Sequence, residues 1–298
     1  HKYTFRKGDN QRIIIDMLHG IYNYDGKVLW SSIRVENDSL LTGYRITNGW
    51  ARENYTYFAI KFSKPVKSYG YKDMKKADYI GFMRKLNIYN SFPEIAGRDV
   101  VAYFDFSNDD EVLEMEVALS AVSAEGAMKN LKAEATGTFD ELYAKTLKSW
   151  NDELGQIQVE GSEKEKQMLY TSFYHTMINP SVYQDVDGNY RGLDGNIHNA
   201  DGFTNYTVFS LWDTYRAEHP LLALLKPQRD EDMVESMLKH QKQSVHGILP
   251  IWSLMGNEGW CMTGYHSVSV VADAIVKGLK VDYDAAVKAM EKTANYSY

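Results

Sequence analysis

Hydrophobic and polar positions alternate along the first third of the chain with a period near two. Arg12-Ile-Ile-Ile-Asp-Met-Leu18 is an apolar run bounded by Gly8-Asp-Asn10 and Gly20. Ser32-Ile-Arg-Val-Glu36, Leu41-Thr-Gly-Tyr-Arg-Ile46 and Tyr55-Thr-Tyr-Phe-Ala-Ile-Lys-Phe62 alternate, and Pro65 closes the last of them. Val100-Val-Ala-Tyr-Phe-Asp-Phe106 and Val112-Leu-Glu-Met-Glu-Val-Ala-Leu119 bring the set to at least six. Asp25-Gly26 is a hairpin signal, and His1-Lys-Tyr-Thr-Phe5 already reads as strand. Short, regularly spaced strands with no helical pattern between them predict an antiparallel β-sandwich over residues 1–123.

The period lengthens near Ser123. Residues 124–134 are rich in helix formers, and Thr138-Phe-Asp-Glu141 has the form of a capping box. Phe139, Leu142, Tyr143, Leu147, Trp150 and Leu154 then recur at three- and four-residue steps, which predicts linker helices over 124–160 that dock the sandwich onto the C-terminal half of the chain. From Gly161-Ser-Glu163 a further helix carries Met168, Leu169, Phe173, Met177 and Ile178 before Pro180 stops it. Later helical patterns run over 230–243, 263–277 and 283–294. Their stripes are Met233, Met237 and Leu238, then Val268, Val271, Ala272, Ile275 and Val276, then Ala286, Val287 and Met290. Residues 161–298 therefore read as paired helices with short connections.

Two stretches interrupt these helices with chemistry. Gln184-Asp-Val-Asp-Gly-Asn-Tyr-Arg-Gly-Leu-Asp-Gly-Asn-Ile-His198 is a long polar excursion without the ligand spacing of an EF-hand. It leads into Ser210-Leu-Trp-Asp-Thr-Tyr-Arg216, where helical spacing would set Asp213 against Arg216 between Trp212 and Tyr215. That arrangement fits either a buried ion pair fixing helix packing or a polar ligand site. The second stretch is Met255-Gly-Asn-Glu-Gly-Trp-Cys-Met-Thr-Gly-Tyr-His266. Gly256, Gly259 and Gly264 permit unusual backbone geometry, and Glu258 and Trp260 suit a sugar. Alternatively, Glu258 caps the helix starting at Thr263, Trp260 fills core, and His266 is a satisfied buried imidazole.

Composition narrows the classes. The 298 residues exceed a usual single domain, and 44% hydrophobic with 24% charged residues fits a large core. A formal charge of −7 argues against a nucleic-acid surface. No run is long enough to cross a bilayer, and no signal peptide is present in this chain. The single cysteine, Cys261, excludes an intrachain disulfide and reads as core rather than nucleophile. Nucleophile-elbow, phosphate-loop and zinc-binding signatures are absent. The 22 Tyr, 11 Phe and 6 Trp suit carbohydrate or protein partners.

Taken together, several of these stretches resemble glycoside hydrolase family 92, the calcium-dependent exo-α-mannosidases. Tyr206-Thr-Val-Phe-Ser-Leu-Trp-Asp-Thr-Tyr-Arg-Ala-Glu-His-Pro-Leu221 is similar to the family's signature helix. Residues 180–192, 247–250, 256–266 and 270–278 continue the likeness, and Tyr44-Arg-Ile-Thr-Asn-Gly-Trp50 resembles its N-terminal sandwich. The resemblance implies an N-terminal antiparallel β-sandwich followed by part of an (α/α)6 helical barrel. It implies inverting, calcium-assisted removal of terminal mannose, α-1,2-linked above all, from α-mannose-terminated glycans. It further implies a secreted, periplasmic or cell-surface location. Trp212 and Asp213 take the positions of the Trp-Asp pair that contacts mannose, and Arg216, Glu258 and Trp260 are added on position alone. The Glu-Gly-Asn-Ala-Trp-Gln-like motif of the general acid and the Gly-Asn-Glu/Asp-Asp motif of the base do not occur in these 298 residues. The expectation is thus an internal fragment, its start missing. It would hold part of a sugar pocket, with calcium ligands elsewhere, and would be inactive alone. The alternatives are a non-catalytic carbohydrate-binding module and an (α/α)6 glycosidase of another specificity.

Overall fold

The computed structural model describes residues 1–73 and 93–297. The chain divides into two compact units, His1–Leu142 and Tyr143–Tyr298.

In the first unit the described strands are β1 (Lys2–Thr4), β2 (Gln11–Asp16), β3 (Val28–Val35), β4 (Leu40–Thr47), β5 (Asn54–Phe62), β6 (Val66–Asp73), β7 (Glu94–Gly97), β8 (Val100–Phe106) and β9 (Val112–Ser120). They form a six-stranded sheet, β1-β9-β5-β4-β3-β7, and a three-stranded sheet, β2-β8-β6. In β8, Val100, Ala102, Phe104 and Phe106 are buried while the residues between them are only partly covered. These four share one core with Ile13 of β2 and Ile33, Leu41, Phe58 and Leu113 of the larger sheet. Side-chain alternation therefore gives each sheet one apolar face, and the two faces close on each other as a sandwich.

The hairpin expected at Asp25-Gly26 is corrected. The turn exists, with the Lys27 N–H donating to the Tyr24 carbonyl at 3.2 Å and Gly26 at φ +80°. Yet β2 pairs with β8 and β3 with β4, so this turn lies on a crossing between sheets. A dipeptide dictates where the chain reverses, and not which strand it then joins. Strands β6 and β7 were not anticipated. In β6 the register against β8 shifts between Val66 and Ser68, which blurs its alternation.

Helix α1 (Ala124–Glu134) places Ala127 and Leu131 on Ala59 and Ala118, the outer face of the larger sheet. Ser123 caps it, accepting from the Gly126 N–H at 3.0 Å. Helix α2 (Phe139–Leu154) starts at the expected capping box: the Thr138 N–H donates to Glu141 Oε2 at 2.8 Å, and the Glu141 N–H to Thr138 Oγ1 at 3.3 Å. The division between the units falls inside this helix. Its apolar stripe has no buried member, and Tyr143 and Leu147 are exposed.

The second unit holds α3 (Glu163–Thr176), the one-turn α4 (Leu211–Thr214), α5 (Glu218–Leu225), α6 (Pro227–Gln243), α7 (His266–Val276) and α8 (Tyr283–Ala294). Met233, Val234, Met237 and Leu238 of α6 pack with Leu211, Leu222, Val270, Val271, Ala274, Ala286 and Ala289. Each large side chain sequestered in this way contributes about 2 kcal/mol. Val276, expected on the apolar face of α7, is 85% exposed, because Ala274 holds the inward position where the helix ends. Glu153, near the end of α2, receives Lys226 at 2.8 Å and Arg229 at 3.2 Å, tying that helix to the start of α6. The polar excursion is folded rather than open. Strand β10 (Ser181–Val182) pairs with β13 (Tyr206–Thr207), and β11 (Asn189–Arg191) with β12 (Ile197–Asn199). Asp187 and Asp194 accept turn N–H groups there, from Asn189 at 3.3 Å and Asn196 at 3.0 Å.

Candidate functional site

Helix α4 is the centre of the first candidate group. Leu211 and Thr214 are its buried residues, which leaves Trp212 and Asp213 on the open side, Trp212 at 46% exposure. The predicted Asp213–Arg216 pair does not form. Asp213 accepts a short hydrogen bond from the Ser210 hydroxyl, while Arg216 donates to the Tyr215 hydroxyl at 2.9 Å and lies 5.5 Å from that ring. The physical reason is the helix length. One turn ends at Thr214, and Ala217 then adopts φ +71°, so the side-chain spacing of a continuing helix never applies. Both charged residues are exposed, against the expectation that they would be sheltered.

Trp212 is not isolated. His266, first residue of α7, stacks on Tyr215 with ring centres 4.2 Å apart and meets Trp212 edge-on at 5.3 Å. Its Nε2 is buried and has no hydrogen-bond partner, so the satisfied imidazole expected there is replaced by an aromatic sandwich member. Gly264, at φ +85°, lies beneath it, and a Cβ at that position would fall 2.6 Å from Nε2. The group Trp212, Tyr215 and His266 presents an aromatic wall, with Asp213 as a carboxylate beside it. Such a wall can pack against an apolar ligand face while the carboxylate accepts from the ligand's polar groups.

Sequence reasoning misses Glu218. A carboxylate in the first turn of a helix ordinarily reads as a favourable end charge. In the fold its Oε1 is buried without a partner. Burial pushes this carboxyl up to about 7, and the negative charge of Asp213 adds to the effect.

The second group centres on Glu258, in the hairpin of β14 (Ser253–Leu254) and β15 (Asn257–Glu258). The carboxylate accepts from the N–H groups of Ile251 at 2.9 Å, Trp252 at 2.8 Å and Trp260 at 3.0 Å. It does not cap α7, which begins at His266 rather than Thr263. Trp260 meets His246 edge-on at 5.0 Å. Of the three glycines expected to relieve backbone strain, Gly256 and Gly264 have positive φ and Gly259 does not. Met255, Trp260 and Met262 take positive φ instead. Side chains held in that region cost energy and concentrate where a loop must present a particular surface.

Among the described residues, no three or more His, Cys, Asp or Glu side chains are grouped to hold a metal ion. The calcium that the family resemblance implies is expected on ligands elsewhere, and no step is assigned to it. Among the same residues no helix is long and apolar enough to cross a membrane. A cavity of about 420 Å³ is lined by Tyr206, Lys226, Pro227, Arg229 and Asp232 among others, and none of the predicted site residues borders it.

Residues 1–120 match the N-terminal domain of glycosyl hydrolase family 92, and residues 126–298 match that family's catalytic domain. The chain belongs to glycoside hydrolase family 92. A family GH92 α-mannosidase from Bacteroides thetaiotaomicron superposes over 100% of this chain with a TM-score of 0.90 and 43% identity. The same α-mannosidase has been solved with mannoimidazole bound. A GH92 inverting mannosidase from the same species aligns over 97% of this chain at 30% identity, with a TM-score of 0.82. The chain spans about 40% of the length of the first of these and 37% of the other. No curated protein matches it.

Proposed function

We propose that this chain supplies one wall of the mannose pocket of a glycoside hydrolase that removes terminal mannose from α-mannosides, α-1,2-linked ones first, with inversion. The observation that carries the reading is the exposed Trp212–Asp213 pair on one turn of helix, backed by the Tyr215–His266 stack. In this reading the indole covers the sugar's apolar face, Asp213 accepts from its hydroxyls, and Arg216 at the rim meets a further oxygen. Glu258 acts indirectly, by fixing the backbone that carries Trp260. Inversion needs a general acid on the leaving oxygen and a general base on water. The motifs expected to carry them are not among these 298 residues. Acid, base and any calcium would then come from other sequence, and the chain alone would bind without turnover. The relatives' names as α-mannosidases support the substrate class. A secreted, periplasmic or cell-surface enzyme would meet such glycans.

The test is binding of methyl α-mannoside, followed by ligand-observed NMR, to the wild-type chain and to Asp213→Ala. Loss of binding with an unchanged unfolding midpoint supports the reading. Retained binding with a large drop in stability would return Asp213 to a packing role. Hydrolysis of an aryl α-mannoside by the chain alone would overturn the assignment of acid and base to other sequence.

A further inference from the structure

The turn between β3 and β4 and the start of β6 enclose a groove of about 330 Å³. Val35, Val66 and Tyr69 form its apolar part, and Asn37, Asp38, Lys67 and Ser68 its polar part. Ligand sites have this make-up, apolar walls with a few placed polar groups. Two contacts fix the shape. The Val66 N–H donates to the Asp38 carbonyl, tying the turn to β6. Tyr69 stacks on the fully buried Phe104, with ring centres 5.9 Å apart. Lys67 is the extra residue where β6 slips against β8, between Val66 opposite Phe106 and Ser68 opposite Asp105. Such bulges re-aim a side chain.

The polar groups are partly engaged, and the valences left over define the ligand. Asn37 Oδ1 accepts from the Ser39 N–H at 2.9 Å and the Ser39 hydroxyl at 3.3 Å, which leaves its amide N–H groups as donors. The Ser68 hydroxyl donates to Asp105 at 3.1 Å, which leaves its oxygen as an acceptor. Asp105 is held in turn by Arg12 at 2.6 and 3.0 Å. Among the described residues, the Asp38 carboxylate accepts no hydrogen bond and the Lys67 ammonium donates none. The groove thus offers two donors, Asn37 and Lys67, and two acceptors, Asp38 and Ser68. A ligand with a net charge of either sign would meet a like charge there. A neutral ring bearing several hydroxyls avoids that repulsion. Each hydroxyl both donates and accepts, and the ring's C–H face can lie against Val66 and Tyr69. We propose that this groove is a saccharide-binding site on the sandwich, sized for one hexose ring. It lies wholly within the first unit, whereas Trp212 and Asp213 belong to the second, so it stands independently of the mannose-pocket reading.

The experiment records ¹H–¹⁵N spectra of the whole chain as methyl α-mannoside, methyl α-glucoside or methyl β-galactoside is added. Wild type is compared with Asp38→Ala, with Asp38→Ala/Lys67→Ala and with Asp213→Ala. Asp38, Lys67 and Asp213 are exposed, and unfolding midpoints confirm that each variant is folded. At least one sugar should shift the amides of residues 35–39 and 66–69, saturating with a Kd of about 1–10 mM. Asp38→Ala should bind about fivefold more weakly and the double variant about twentyfold. Asp213→Ala should leave these shifts unchanged. Shifts confined to residues around Trp212 overturn the groove and leave the mannose pocket standing. No groove shift with any of the three sugars at about 50 mM overturns it whatever happens at Asp213. Groove shifts that persist unchanged in the double variant overturn the assignment to these side chains. Shifts that only glycylglycine, a zwitterion, produces overturn the saccharide as ligand.

Discussion

Replacing Glu258 by alanine tests whether this carboxylate is a structural clamp. Its two oxygens receive three backbone N–H groups, from Ile251, Trp252 and Trp260, at 2.8–3.0 Å. Ile251 and Trp252 are 7% and 8% exposed, so water replaces the carboxylate poorly on that side. A hydrogen bond to a charged acceptor is worth about 1.5–3 kcal/mol. Three of them sum to roughly 5–9 kcal/mol, but they share one side chain and the partly open side admits water, so about 3 kcal/mol is the expected net loss. Glu258→Gln keeps one accepting oxygen and should lose only about 1 kcal/mol. For a unit of this size each kcal/mol moves the unfolding midpoint by about 2–4 °C. The alanine variant should therefore melt about 6–12 °C lower in calorimetry, in the transition of the helical unit. An alanine variant within about 0.5 kcal/mol of wild type, or alanine and glutamine variants losing equally, would refute the clamp.

Other outcomes follow from the same structure. Trp212→Ala, at a half-exposed ring, should remove mannoside binding in a titration while shifting urea stability by less than about 1 kcal/mol. In the sandwich, Gly43→Ala would drive its Cβ into the Ser32 carbonyl and the Phe58 ring, so a loss above about 2 kcal/mol is expected in urea unfolding. His240 is buried beside Ser253 Oγ at 2.9 Å, and burial lowers its pKa to about 3. A histidine depressed in the folded state stabilises fully above its unfolded pKa near 6.5, and that contribution is lost as the pH falls from there towards 3. Stability of the helical unit should therefore drop with acid by up to about 1.4 kcal/mol per pH unit in that window. His240→Asn, which still accepts from Ser253, should flatten that slope in pH-dependent unfolding.

The part legible in the residues alone was set by local and periodic chemistry. The two-residue alternation in stretches such as Val100-Val-Ala-Tyr-Phe-Asp-Phe106 implies one wet and one dry face, and the sandwich comes from that. The capping box at Thr138 marked a helix start to the residue, because a cap is a contact between neighbours in sequence.

The misreadings turn on how the chain folds back beyond one element. Asp25-Gly26 reversed the chain but had no say in which sheet came next. Asp213 and Arg216 had helical spacing, yet whether the helix ran far enough depended on the turn at Ala217 that lets α5 reach the core. Glu258 looked like a possible helix cap until the β14–β15 hairpin set the N–H groups of Ile251 and Trp252 on its carboxylate. The chain's order of residues, then, determined its elements, their wet and dry faces, and the family it belongs to. Only the tertiary structure decided that His266 would stack on Tyr215 and meet Trp212 edge-on, and that an oxygen of Glu218 would be buried without a hydrogen-bond partner. Those are meetings of separate helices, governed by how apolar faces close together, and no periodicity within one segment encodes them.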